Sequence, residues 1–267
     1  MRTLLLAGLL ASSAFAQNDT AKGKKIIEQV LAGMGGQAYL NMQDRVETGR
    51  GYSFYHENLS GLDRIKLSTR YLQRPEPPQP GFVGMRERQG QGKHEERVVL
   101  FTEQECWETT YMGAKPLKAD LVARWRESLL HNVLYTLRQR LGEPGLEFYY
   151  MRSEVFENQP ADVVDIVDAD NRTTTVWFHQ SLHVPLKQLW FRRDPKTHER
   201  IDEVTIFSKY RDVGGGVQWP FVIRRERNDE IISELFMESV EINKGLTDDL
   251  FTLSANTKII EKKPGKK

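Results

Sequence analysis

Only one cysteine, Cys106, occurs in the 267 residues. An intramolecular disulfide is therefore excluded, and stability has to come from an apolar core. An excess of charge of one sign is also missing. Lysine and arginine number 38 against 37 aspartates and glutamates, whereas a nucleic-acid binder carries a marked basic excess, so nucleic acid is disfavoured as a partner. No apolar run reaches the ~20 residues that span a bilayer. Catalytic patterns are equally scarce. There is no Gly-x-Ser-x-Gly elbow. His179 and His183 are four apart, but "FHQSLHVP" reads as a strand end meeting a proline, so the rings need not converge on a metal. "DADN", Asp168 to Asn171, lacks the glycine and distant glutamate of a calcium loop and reads as a hairpin turn. Gly214 to Gly216 lead into a strand, not a phosphate-cradling helix. Cys106 beside Trp107 reads as a small buried hydrophobe. No catalytic residue, metal site or cofactor is expected, and the chain reads as a non-enzyme.

What is present begins with a leader. Arg2, the apolar run Leu4 to Leu10 and the small-x-small site Ala14-Phe15-Ala16 have the form of a cleaved secretory signal peptide, residues 1–16. No cysteine follows it to accept a lipid anchor, so the expectation is a freely diffusing exported protein. One domain is expected over residues 17–260. The basic ending "EKKPGKK", residues 261–267, reads as a flexible tail.

Ile26, Ile27, Val30, Leu31 and Met34 share one face of a predicted helix from Ala21 to Met34, and Gly35 or Gly36 suits its end. A helical turn at Gln37 to Asn41 follows. Two alternating segments, Val46 to Phe54 and Ile65 to Tyr71, predict strands joined by a turn at Asn58 to Gly61. The proline-rich stretch Arg74 to Gly81 predicts an ordered loop, and Gln89 to Lys93 a turn. Strands are predicted at Arg97 to Thr102 and Cys106 to Tyr111, then a long helix from Ala119 to Leu141. Its apolar stripe is Val122, Trp125, Leu129, Val133, Leu137 and Leu141, with Arg124, Arg126, Arg138 and Arg140 away from it. After Gly145 come seven strands separated by short turns, which predicts an antiparallel meander. The polar alternate positions leave one sheet face wet, and the two helices are the only candidates to cover the other. The plentiful Phe, Tyr and Trp either fill that core or leave room for an apolar ligand; composition does not choose.

Four segments carry a resemblance. They are "LAGMGGQAYLNMQDRVETGRG" (residues 31–51), "LFTEQECWETTY" (100–111), "YRDVGGGVQWPFVI" (210–223) and "VEINKGLTDDLFTL" (240–253). In this order they resemble the LolA/LolB-like superfamily of periplasmic lipoprotein-sorting proteins, over nearly the whole mature chain. The resemblance implies an α+β, mainly antiparallel fold, an incomplete, half-open β-barrel with helices covering its concave face. It implies a periplasmic carrier, free of the membrane, that shelters acyl chains of lipoproteins or another lipid. Its partners would be an inner-membrane transporter and an outer-membrane receptor. The competing reading is a non-catalytic envelope module that docks proteins on the same sheet. Groove and lid candidates are Phe54, Tyr71, Arg74, Trp107, Tyr111, Trp125, Leu129, Val133 and Leu137. Arg74-Pro75 stands where the family carrier has an arginine that helps hold its lid closed. The proline-rich continuation departs from the family pattern. The long helix is either a movable lid or fixed core.

Overall fold

The computed structural model describes residues 4–73, 75–76, 82–103 and 105–260, with side chains from residue 19 onward. Residues 1–3 and the side chains of the leader, the basic tail, and Arg74 with most of the proline-rich loop lie outside what is described.

Helix α1, Leu4–Gly33, leads to the one-turn helix α2, Gln37–Leu40. Two glycines make the stop. Gly36 has φ +55° and donates its N–H to Leu31 O at 2.7 Å, as glycine does cheaply at helix ends. Gly35 lies so close to the turn at Val217 that a Cβ there would stand 2.8 Å from the Val217 Cα.

The first arm of the sheet comprises β1 (Asp44–Tyr55), β2 (Asn58–Tyr71), β3 (Met85–Gln91), β4 (Arg97–Phe101), β5 (Cys106–Thr110) and β6 (Gly113–Pro116). A helical crossover follows: α3 (Ala119–Leu130), α4 (Val133–Tyr135) and a π-helical segment, Thr136–Arg140. The second arm is β7 (Glu147–Phe156), β8 (Gln159–Val167), β9 (Thr173–His179), β10 (Pro185–Arg193), β11 (Arg200–Asp212), β12 (Gln218–Arg227) and β13 (Glu230–Ile242). Among the described residues thirteen strands form one antiparallel sheet, β6-β5-β4-β3-β2-β1-β13-β12-β11-β10-β9-β8-β7, with two free ends. This is an open half-barrel.

The arms join where β1 pairs with β13. There the buried Asp44 carboxylate accepts the backbone N–H groups of Lys244, Gly245 and Leu246 at 2.6, 2.9 and 3.0 Å. Both free edges are guarded, as exposed strands require. Ala114 of β6 exchanges backbone hydrogen bonds with Lys258 and Ile260. Helix α1 closes on β7, with Gly23 so near that a Cβ would sit 2.3 Å from the Phe148 carbonyl oxygen.

The main core lies between the concave face and the helices, built from Val30, Met34, Tyr39, Leu137, Val164 and Phe207 among others. On the opposite face of β8, Ala161 and Val163 form a small second cluster with Trp177 and Leu186.

Four expectations need correction. The first hairpin turns at His56-Glu57, both at positive φ, so Asn58 to Gly61 belong to β2. This type I′ geometry recurs at Glu157-Asn158 and Asn228-Asp229 without the glycine that usually advertises it. Gln89 to Gln91 belong to β3, and the turn begins at Gly92. The predicted single helix Ala119 to Leu141 breaks at His131-Asn132. Asn132 Oδ1 accepts the Tyr135 N–H, and Gln188 Oε1 accepts that of Val133 at 2.9 Å. This side chain from the sheet takes an amide the helix would otherwise have used. The following π turn rotates Arg140 inward, so this arginine is buried and not on the outer face.

Candidate functional site: a groove with one charged wall

Two adjoining cavities, 380 and 230 Å³, lie between the concave face and α3. They share Glu87, Gln89, Leu129, Asn132, Thr205 and Arg225, which makes them one groove bridging the two arms. Its apolar side is built from Phe101, Trp125, Leu129, Trp190 and Val204. Trp125 stacks on Phe101 with ring centroids 4.5 Å apart. At the helix break, His131 stacks on Trp190 at 4.3 Å, and its Nδ1 lies 2.7 Å from Thr174 Oγ1.

The other side is charged. Alternation along β3 aims Glu87 and Gln89 inward, and the same alternation brings Arg97, Arg192, Glu203, Arg225 and Arg227 to the groove. Glu203 accepts from Arg192 at 2.9 Å and Arg227 at 3.0 Å. Arg97 reaches Glu108 at 2.6 Å. Burial pushes the Glu87 carboxyl above the usual carboxylate range, against its Gln89 hydrogen bond and the pull of Arg45 and Arg225.

At the inner end Arg45 donates to Glu47 at 2.8 Å and to the Tyr71 hydroxyl at 2.6 Å, and lies 4.0 Å over the Trp219 ring. Trp219 Nε1 donates to Glu47 at 2.8 Å. Burial opposes the Arg45 charge, yet Glu47 outweighs it and holds the guanidinium protonated. Burial likewise lifts the Tyr71 hydroxyl, with Arg45 and Arg138 pulling the other way. Every polar group in this cluster is satisfied, as a buried network requires.

The sequence candidates separate into five groups. Tyr71, Trp125 and Leu129 line the groove. Val133 and Leu137 do not; they are fully buried in the core beyond it. Trp107 lies on the face of β5 away from Glu108 and lines a separate cavity under α3 with Val122 and Arg126. Phe54 is half-buried in β1 and lines none of these cavities, and Tyr111 is 93% exposed on a turn. Arg74 lies outside the described residues. The charged wall was not anticipated, because its residues break the apolar alternation that marks an inward face. The available sign was the polar run "RERQGQ", Arg86 to Gln91, which has no proline and forms most of β3.

The turns read as non-catalytic are turns. His179 Nδ1 accepts the backbone N–H groups of Ser181 and Leu182, both at 3.1 Å. Asp168 accepts those of Asp170 and Arg172, and also binds the Arg140 guanidinium at 2.8 Å. Among the described residues no cluster of His, Cys, Asp and Glu could hold a metal.

The architecture has counterparts among solved structures. A domain assigned to the outer-membrane lipoprotein-sorting proteins from Vibrio parahaemolyticus superposes with a TM-score of 0.58 at 14% identity, covering 87% of this chain and 97% of its own. A LolA superfamily protein from Nitrosomonas europaea gives 0.52 at 13%, over 86% and 97%. The chain has the LolA-like fold. A DUF1329 family protein from Desulfovibrio piger shares this fold at 0.58 and 10% identity, over 86% and 97%. No protein-family model matches the sequence, and no curated protein matches it. The LolA-like half-barrel is thus visible in three dimensions at identities that show the fold alone.

Proposed function

We propose that this LolA-like half-barrel is an exported, non-catalytic carrier that holds the hydrocarbon of a lipid, or the acyl chains of a lipoprotein, between α3 and the concave wall. The observation that carries the reading is the groove itself. Its larger part, 380 Å³, falls within the ~300–1,000 Å³ of ligand pockets. Burying hydrocarbon is worth ~0.8 kcal/mol per methylene, so about ten methylenes would contribute ~8 kcal/mol before ordering costs.

Release needs a cover that can lift. Helix α3 suits that role: of its residues only Leu129 and Leu130 are buried. Trp125 and Leu129 face the groove and would leave with it. Among the described residues no helix is long and apolar enough to cross a membrane. The reading includes removal of residues 1–16 on export to the periplasm, with Gln17 as the mature N-terminus. Handover to membrane-bound partners at either end of the path completes it.

Mass spectrometry of organic extract from natively isolated protein tests the proposal. About one acyl-bearing molecule per chain is expected. Protein that carries no lipid, and takes up none, overturns the carrier reading. A stable protein partner captured under those conditions would point to a docking module instead.

A further inference from the structure

The arginines of the sheet differ by face. On the face away from the groove, Arg86 pairs with Glu103 at 2.7 Å, Arg88 with Glu95, and Arg224 with Glu157 at 3.1 Å and Glu226 at 2.7 Å. Arg225, the next residue, points the other way and lines both parts of the groove. Among the described residues its guanidinium has no hydrogen bond and no ion pair, although its backbone pairs in the sheet. Its side chain is open to solvent, so its charge costs little while the groove is empty.

The surroundings favour a negative visitor. Glu203 is shared by two arginines, Arg192 and Arg227, which leaves that trio with a net positive charge. Glu87 is the other carboxylate lining the larger part of the groove, and its burial disfavours the charged form. A guanidinium offers a planar fork of donors that matches a carboxylate or phosphate. Across from it stands the apolar wall of Trp125, Leu129 and Trp190.

We infer that Arg225 anchors the oxyanion head of an anionic amphiphile, a carboxylate or phosphate, while its hydrocarbon lies along the α3 wall. This rests on the carrier reading and sharpens it to a class of cargo. Neutral and cationic amphiphiles would lack the anchor.

The test uses the full chain after lipid removal, with binding followed by tryptophan fluorescence from the groove. Dodecanoate and dodecyl phosphate are compared with dodecanol and dodecyltrimethylammonium, all below micellar concentrations, and with inorganic phosphate. Both anions should bind at least tenfold more tightly than the neutral and cationic compounds. Arg225→Gln should lose most of that preference while keeping its affinity for dodecanol, which also reports an intact fold. Arg224→Gln should keep the preference. Equal affinity across heads, or an unchanged preference in Arg225→Gln, overturns the anchor and leaves the carrier standing. Failure of every dodecyl compound to bind overturns both. Inorganic phosphate binding as tightly as dodecyl phosphate would show a site for free oxyanions and reject an amphiphile.

Discussion

Residues 119–130 and 131–140 are neighbours in sequence and opposites in environment. From His131 to Arg140 every side chain is buried except Asn132 and Arg138, which are half-buried, whereas α3 buries only its last two residues. The first segment spans a gap; the second plugs the barrel. An amphipathic stripe runs through both, so hydrophobic periodicity alone treats them as one helix. The break at Asn132 separates a cover from an anchor, and the anchor is fixed by polar contacts. Arg138 donates to the Met42 carbonyl at 2.7 Å, Tyr39 donates to that of Leu134 at 2.6 Å, and Arg140 holds Asp168 and Glu143.

Breaking the anchor should have the largest effect. Asp168→Ala removes one of the two carboxylates that hold the buried Arg140, together with the acceptor of the Asp170 and Arg172 amides, which costs about 3–5 kcal/mol, read by urea unfolding. The pH dependence follows from the carboxyl's environment. Burial pushes the Asp168 pKa up, but Arg140 and Arg172 outweigh it and the net shift is downward. The stability it supplies is therefore complete above the ordinary aspartate pKa and is lost as pH falls through the lowered folded value. The variant and the wild type should converge in acid.

Next comes Leu137→Ala, expected to cost about 2–5 kcal/mol by leaving a cavity in the core. Lipid retained per folded molecule should not change, because Leu137 lies outside the groove. Leu129→Glu sharpens the contrast from the other side. It should lower lipid retention more than tenfold at a cost of about 1–2 kcal/mol in stability. Equal losses of retention and stability in Leu129→Glu would make α3 a fixed part of the core and erase the distinction.

How much of this was legible depends on whether a residue's environment matches its chemistry. The meander after Gly145 was readable because its strands are short apolar-rich runs set between turn residues at regular spacing, and Thr173–His179 is found at its predicted bounds. β6 was not readable, since four residues, Gly113–Pro116, carry no period. The groove was half legible. Trp125 and Leu129 follow from the helical stripe, but the opposing wall is made of Glu87, Arg97 and Arg225, residues whose pattern predicts a solvated surface. They line the groove where it opens to solvent, as the exposed Arg225 side chain shows. Arg140 shows the other limit: only a π turn, invisible to a period of 3.6, could bring it inside.

Glu87 gives the smallest effect and the finest test of the comparison. Its folded pKa is raised, so the native state prefers the protonated form. The stabilisation it offers is present below the ordinary glutamate pKa and is lost as pH rises through the raised folded value. At neutral pH the wild type thus carries a disfavoured carboxylate, and Glu87→Gln should gain about 0.5 kcal/mol. That gain should shrink on acidification and vanish below the normal carboxylate range, the reverse of the Asp168 profile. The same substitution removes a negative charge from the wall that Arg225 shares. Affinity for an anionic amphiphile should therefore rise at neutral pH along with stability, while affinity for a neutral one stays put. A gain in stability without that selective gain in binding would mean that Glu87 and Arg225 do not act on one ligand.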